Sequence, residues 1–193
     1  MSQGARQLAL VCVTVIVVVI FLMLPKAPKT ALEKQPVSDS VQVELEQAVQ
    51  LVQQGTNPME GILKIRQISE EHPDNIDAQL WLGVFSEQSG QMEKAISRFE
   101  NVIALDTNNP VAHRYLGEFS MKDSLYDQAI RHFQTVYKED SSYKSALFYI
   151  GKSHQELGND EEALTYYERY LPFAPDSAVA SGVNGFISEL RNK

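Results

Sequence analysis

A 34-residue period runs through this chain from Ile76 to Ser177, three units deep and without a gap. Leu82-Gly83, Leu116-Gly117 and Ile150-Gly151 share one pair of offsets, Ala95, Ala129 and Ala163 a second, and Phe99, Phe133 and Tyr167 a third. A fixed period of this length is the signature of stacked helical units, each of which cannot bury its own apolar face and so leans on its neighbours. Between the landmarks the apolar residues recur every three or four positions, as in Ala95, Ile96, Phe99, Val102 and Ile103, the spacing that gathers them on one helical face. Each unit is therefore expected to be a pair of helices. Gly90 and Gly158 stand where the first helix must end and turn, a place that favours the positive φ glycine accepts without strain. Ser124 replaces that glycine in the middle unit, so its turn is expected to be tighter or strained.

These residues resemble the tetratricopeptide repeat at nearly every defining position over Ile76 to Ser177. The departures are few. The bulky residue near the start of the first helix is replaced by Gln79 and His113 and met by Leu147, while Trp81 lies two positions away from that site. The closing proline is present as Pro175, and Thr107 and Ser141 take its place after Asp106 and Asp140. One period upstream lies a degenerate unit, residues 42–75: Ala48-Val49 at the Leu-Gly offset, Gly61 at the alanine, Ile65 at the aromatic and Pro73 at the proline. Its inter-helix segment, Gly55-Thr56-Asn57-Pro58, has turn chemistry, with Pro58 placed for a first helical turn. The expected repeats are thus 42–75, 76–109, 110–143 and 144–177. A capping helix over 178–190 follows, with apolar Val179, Val183, Phe186, Ile187 and Leu190 and with Asp176 and Ser177 as candidate caps. The resemblance implies an all-α tetratricopeptide-type solenoid over residues 41–193.

At the other end, residues 7–24 are expected to form a transmembrane anchor: Leu8 to Leu24 is an unbroken apolar run of 17 residues, near the lower limit for a spanning helix. The competing reading is a cleavable signal peptide, but Pro25-Lys26-Ala27-Pro28-Lys29 follows where a small-residue cleavage site belongs. Leu10 and Val11 before the lone Cys12 are not the small pair that lipoprotein processing favours, and one cysteine allows no intramolecular disulfide. Residues 25–40, with Pro25, Pro28 and Pro36, read as a linker, and Asp39 or Ser40 as the cap of the first helix. Flanking charge, Arg6 against Lys26, Lys29 and Lys34, slightly favours a cytoplasmic repeat domain when counted literally. A short amino-terminal tail before a lone anchor commonly stays in the cytoplasm, which instead places the repeats in a bacterial periplasm, on the outer side of the inner membrane. The second placement is the expected one.

Charge narrows the partners. The anchor and linker carry four basic and two acidic residues, which leaves −10 on the repeats against a formal −8 for the whole chain. An acidic array is a poor nucleic-acid binder, because that binding draws on clustered Lys and Arg. His113, His132 and His154 fall on different offsets and none makes an i, i+4 pair, so no metal site is expected. No nucleophile elbow, phosphate-cradling loop or His-Glu-x-x-His occurs; no cofactor or small-molecule substrate is indicated, and the chain is not expected to be an enzyme. Asp160-Glu161-Glu162 sits at a helix start, where carboxylates complement the macrodipole.

The resemblance implies protein or peptide partners held on the face formed by the first helix of each unit. On this sequence the inward offsets are Asp77, Leu80, Val84, Glu87 and Gln88; then Val111, Arg114, Glu118, Met121 and Lys122; then Ser145, Phe148, Lys152, Gln155 and Glu156. Leu80, Val84, Met121 and Phe148 form an apolar strip, with Glu87, Arg114, Glu118, Lys122 and Lys152 around it. Such a strip serves either a ligand, by burial with charge setting register, or packing against the next repeat or the cap. The carboxylate clamp of co-chaperone members, built from Lys and Asn, is missing. The expected function is an envelope adaptor or assembly factor, with a holdase for translocated polypeptides as the alternative.

Overall fold

The second helices begin at Pro58, Met92, Tyr126 and Asp160, each 34 residues after the last, so the sequence period is carried into the backbone without a slip. The structure, a computed structural model, describes residues 39–193; the expected anchor, residues 7–24, and the linker up to residue 38 lie outside the described residues. Nine α-helices follow in order: α1 (Asp39–Gln53), α2 (Pro58–Glu71), α3 (Ile76–Gln88), α4 (Met92–Leu105), α5 (Pro110–Lys122), α6 (Tyr126–Glu139), α7 (Ser145–Glu156), α8 (Asp160–Tyr170) and α9 (Ser177–Arg191). A 3-10 turn, Leu171–Phe173, joins the last two, and there is no strand among the described residues. Residues 39 and 40, expected to end the linker, are already helical, so the first unit begins slightly early. No described helix is long and apolar enough to cross a membrane.

Local signals set the helix ends. Pro58 and Pro110 occupy the first helical turn, where the missing N–H costs nothing. Asn75 and Asn109, one period apart, each accept a hydrogen bond from a backbone N–H three residues on, and Asp176 does the same for Val179 at the start of α9. Of the two candidate caps of the last helix, Asp176 is the one that acts. Asp160, Glu161 and Glu162 fill the first turn of α8 as expected.

Packing explains the landmarks. Phe99, Phe133 and Tyr167 are fully buried beside the equally buried Ala95, Ala129 and Ala163. Each ring lies against the glycine of its own unit: a Cβ on Gly117 would meet Phe133 ring atoms at 3.0 Å. The ring's other side meets the next unit. Phe99 stacks on Tyr115 at 4.5 Å between centroids and Phe133 on Tyr149 at 4.7 Å, while Tyr167 stacks at 5.5 Å on Phe186 from the capping helix. One aromatic per second helix thus joins its own hairpin to the following one.

The first unit reaches the same density by moving bulk across the interface. Val49 stands at the glycine offset and the smaller Ile65 at the aromatic offset, both buried. At the alanine offset Gly61 lets α1 and α2 approach until a Cβ there would lie 2.5 Å from the Ala48 carbonyl oxygen and 2.6 Å from Val52 Cγ2.

The turn of the middle unit is strained, as its sequence predicts. Ser124 has φ +60°, beside +73° at Gly90 and +75° at Gly158. A left-handed residue with a Cβ costs roughly 1–2 kcal/mol, and glycine returns roughly 0.5–1 kcal/mol of that as lost chain entropy. Ser124→Gly is therefore expected to stabilise the protein by about 0.5–1 kcal/mol in urea unfolding, and a neutral or destabilising result would contradict the strain.

Candidate functional site: the first-helix face

Of the inward offsets of α3, α5 and α7, Leu80, Val84, Glu87, Arg114, Glu118, Met121, Phe148 and Lys152 are half-buried, while Asp77, Gln88, Val111, Lys122 and Glu156 are exposed. Leu80 and Val84 on α3 rest on the core formed with α4 and α5, around Phe99, Val102 and Leu116. Met121 on α5 rests on the core of α6 and α7, around Phe133 and Ile150. Phe148 on α7 is turned toward the cap, with ring centroids 5.5 Å from Tyr170, 5.8 Å from Tyr167 and 6.5 Å from Phe186. These four side chains each combine packing with a half-exposed edge. Phe148 is the one drawn deepest into the capping contact.

The charged rim is organised in pairs. Arg114 and Glu118, one turn apart on α5, form an ion pair at 2.9 Å with only 27% and 29% of their side chains exposed. The Arg114 guanidinium also lies 4.0 Å above the Tyr115 ring. Lys152 and Glu156 repeat the pairing at 2.8 Å on α7, with the Lys152 ammonium 5.5 Å from the Phe186 ring. Lys122 is exposed above the Phe119 ring, and Glu87 is half-buried in the last turn of α3. Burial works against the charge of Arg114, but contacts to Tyr115 and Glu118 outweigh it and hold the guanidinium's pKa above its ordinary value. Burial foremost pushes the Tyr143 and Tyr149 phenols up, with Tyr149 and then Glu118 adding to it at Tyr143 and Glu118 at Tyr149, so both stay neutral beside this pair.

A second set of side chains belongs to this face and was not among the expected ones. Trp81, Tyr115 and Tyr149 share one offset, 34 residues apart, and each is half-buried. Trp81 stacks on Phe85 at 5.6 Å, and the two tyrosines stack on the buried phenylalanines already described. Aromatic residues recurring at a single offset were the available signal; Trp81 taken alone as a displaced family residue concealed it.

His113 and His132, on unlike offsets, meet through space with their Nδ1 atoms 2.8 Å apart. His113 Nε2 is 3.0 Å from the Thr107 carbonyl oxygen, which requires the N–H there and leaves Nδ1 to accept from His132. Among the described residues no group of three or more His, Cys, Asp and Glu gathers as a metal-binding set. Burial first, then His113 and Arg131, lower the His132 pKa to about 4. The unfolded chain takes up this proton near pH 6.5 and the folded chain only near pH 4, so stability is full above pH 6.5 and falls between the two values. Partial exposure trims the loss to about 1–2 kcal/mol. Urea midpoints at pH 7 and pH 4.5 should therefore differ more in the natural protein than in His132→Gln; an equal difference would contradict this account of the pair.

Residues 121–178 match the family model described as tetratricopeptide repeat. The fold is that of a tetratricopeptide array. A tetratricopeptide repeat protein from Parabacteroides merdae superimposes with a TM-score of 0.66 at 16% identity, over 79% of this chain and 60% of that one. A MamA protein gives 0.63 at 18% identity, over 81% and 88% of the two chains. The MamA of Desulfovibrio magneticus gives 0.63 at 12% identity, over 80% and 94%. At these identities the likeness is one of tetratricopeptide fold. No curated relative matches the sequence.

Proposed function

We propose that this protein is an adaptor that holds a segment of a partner protein on the first-helix face of its tetratricopeptide array, and that its work is binding without catalysis. The observation that carries the proposal is the half-buried strip of Leu80, Val84, Trp81, Tyr115, Met121 and Tyr149 flanked by the Arg114–Glu118 and Lys152–Glu156 pairs. Apolar edges left partly open supply affinity, and fixed ion pairs supply register and exclude mismatched partners.

Residues 7–24 would tether this surface to a bacterial inner membrane with the repeats on the periplasmic side, and the proline-containing linker would set its height. The support is the 17-residue apolar run Leu8 to Leu24 and the short amino-terminal tail before it. Partners gathered at one membrane face make assembly of an envelope complex the fitting role. Protease added to intact spheroplasts should digest the repeats; their protection until lysis would place them in the cytoplasm.

Glu118→Lys reverses one member of the central pair without touching the core. Recovery of the partner on the immobilised full chain is expected to fall about tenfold or more, with thermal stability changed by only a few degrees. Unchanged recovery would overturn the assignment of this face. A shallow loss spread evenly over many bound polypeptides would point to a holdase instead.

A further inference from the structure

A second surface, on the side of the array where the second helices lie, has chemistry of its own. A cleft of about 530 Å³ opens between α2, the end of α3 and α4, and shares no residue with the strip described above. It lies at the junction of the first two hairpins, which touch each other less than the two helices within either hairpin do. Its floor is Ile62, Leu82 and Phe85, and Arg66, Lys94 and Arg98 stand around it.

Among the described lysines and arginines, only Arg66, Lys94, Arg98 and Arg131 have neither a carboxylate at ion-pair distance nor an aromatic ring beneath them. Three of these four line this one cleft, in a chain whose net charge is −8. Glu93 also lines it, yet makes no ion pair with any of the three. Arg98 is held in place: Nη1 donates to Gln79 Oε1 at 2.8 Å and lies 3.4 Å from Ser69 Oγ, while Gln79 itself is buried and donates to Ser69 at 3.0 Å. Gln79, the polar substitute at a bulky position, therefore acts as the support of a pre-aimed guanidinium.

The next unit supplies an internal contrast. The equivalent cleft between α4, α5 and α6 is smaller, about 320 Å³, and keeps the apolar floor as Ile96, Leu116 and Phe119. Its rim, however, carries Glu100, Gln128 and His132 where the first has Arg66, Lys94 and Arg98, and Asp123 in place of Ser89. The same architecture is thus basic in one unit and acidic to neutral in the next.

We propose that the cleft of Arg66, Lys94 and Arg98 docks an acidic segment of a partner protein that carries a large apolar residue for the floor. Repulsion from the carboxylates elsewhere on the acidic chain steers such a segment to this basic cleft, and the apolar residue converts the encounter into a bound state. The site lies beyond the first-helix face and binds independently of it.

The test uses the full chain in neutral detergent micelles and a fluorescein-labelled octapeptide in which acidic residues flank a Leu-Phe pair, read by anisotropy. Binding is expected, weakening about tenfold or more in an Arg66→Glu/Lys94→Glu double variant and upon raising salt from about 50 to 300 mM. Arg131→Glu, which removes the fourth cation away from the cleft, should leave it within about twofold, as should Glu118→Lys on the other face. Both altered cleft residues are exposed, so the double variant retains its helical circular dichroism. Absence of binding, equal weakening by Arg131→Glu, or full competition by inorganic phosphate would each overturn the proposal, the last by marking a small-anion site. Loss of peptide with an intact first-helix partner would separate failure here from failure of the adaptor function.

Discussion

Phe133→Ala is expected to lower the stability of the repeat domain by about 3–5 kcal/mol, the range for removing a buried aromatic side chain. Phe133 is fully buried, covers Gly117 within its own hairpin and stacks on Tyr149 of the next. Its loss opens a cavity among Val136, Ala146, Ile150 and Tyr149, side chains carried by helices that can close it only in part. It also removes the ring that couples α5 and α6 to α7. In a solenoid, stability is a sum of unit and interface terms, and a broken central interface lets the two ends unfold separately. Urea unfolding followed by circular dichroism should move to a lower midpoint, and amide exchange in α6 and α7 should accelerate before that in α3. Phe133→Leu, which keeps much of the volume, should cost distinctly less. A loss below about 1 kcal/mol for the alanine variant would contradict the account.

Gly61→Ala is the second large effect, and its direction runs against family resemblance. The three later units carry alanine at this offset, all fully buried, so the substitution restores the common residue. Helix propensity alone would make it stabilising by about 1 kcal/mol. In this unit, however, the new Cβ would lie 2.5 Å from the Ala48 carbonyl oxygen and 2.6 Å from Val52 Cγ2. The valine tip can rotate, but the carbonyl belongs to α1 and moves only if the helices separate. Overpacking of this kind costs about 1–3 kcal/mol. The expected net result is destabilisation by up to about 2 kcal/mol, the overpacking cost less the propensity gain, with Val52→Ala recovering only part of it. A stabilised Gly61→Ala variant would show that α1 and α2 have room to spare.

The helical pairs were legible because a 34-residue period and the glycine, alanine and aromatic offsets each answer to a single packing contact, as Gly117, Ala129 and Phe133 illustrate. The strain at Ser124 was legible for the same reason: one residue, one φ. The degenerate unit announced itself only by offset, since Val49 and Ile65 exchange bulk in a way no single position reveals. The rest depended on contacts across helices. His113 and His132 lie 19 positions apart, and nothing in an offset count brings them together. Gln79 and Arg98 are likewise 19 apart, so Gln79 looked like a lapse from the family pattern rather than a support. Phe148 had two readings from sequence, groove or packing, and its place among Tyr167, Tyr170 and Phe186 depends on the path of the capping helix. The basic cleft needed three helices before Arg66, Lys94 and Arg98 stood around one opening.

The central claim, that the first-helix face holds a partner, is tested most directly by photo-crosslinking in living cells. A photo-reactive residue at position 122, exposed at the end of α5 beside Met121, is compared with one at position 131 on the outer side of α6. The account predicts one dominant adduct from 122, absent from 131 and lost in the Glu118→Lys background. Identical products from both positions, or an adduct from 122 that Glu118→Lys leaves untouched, would contradict it.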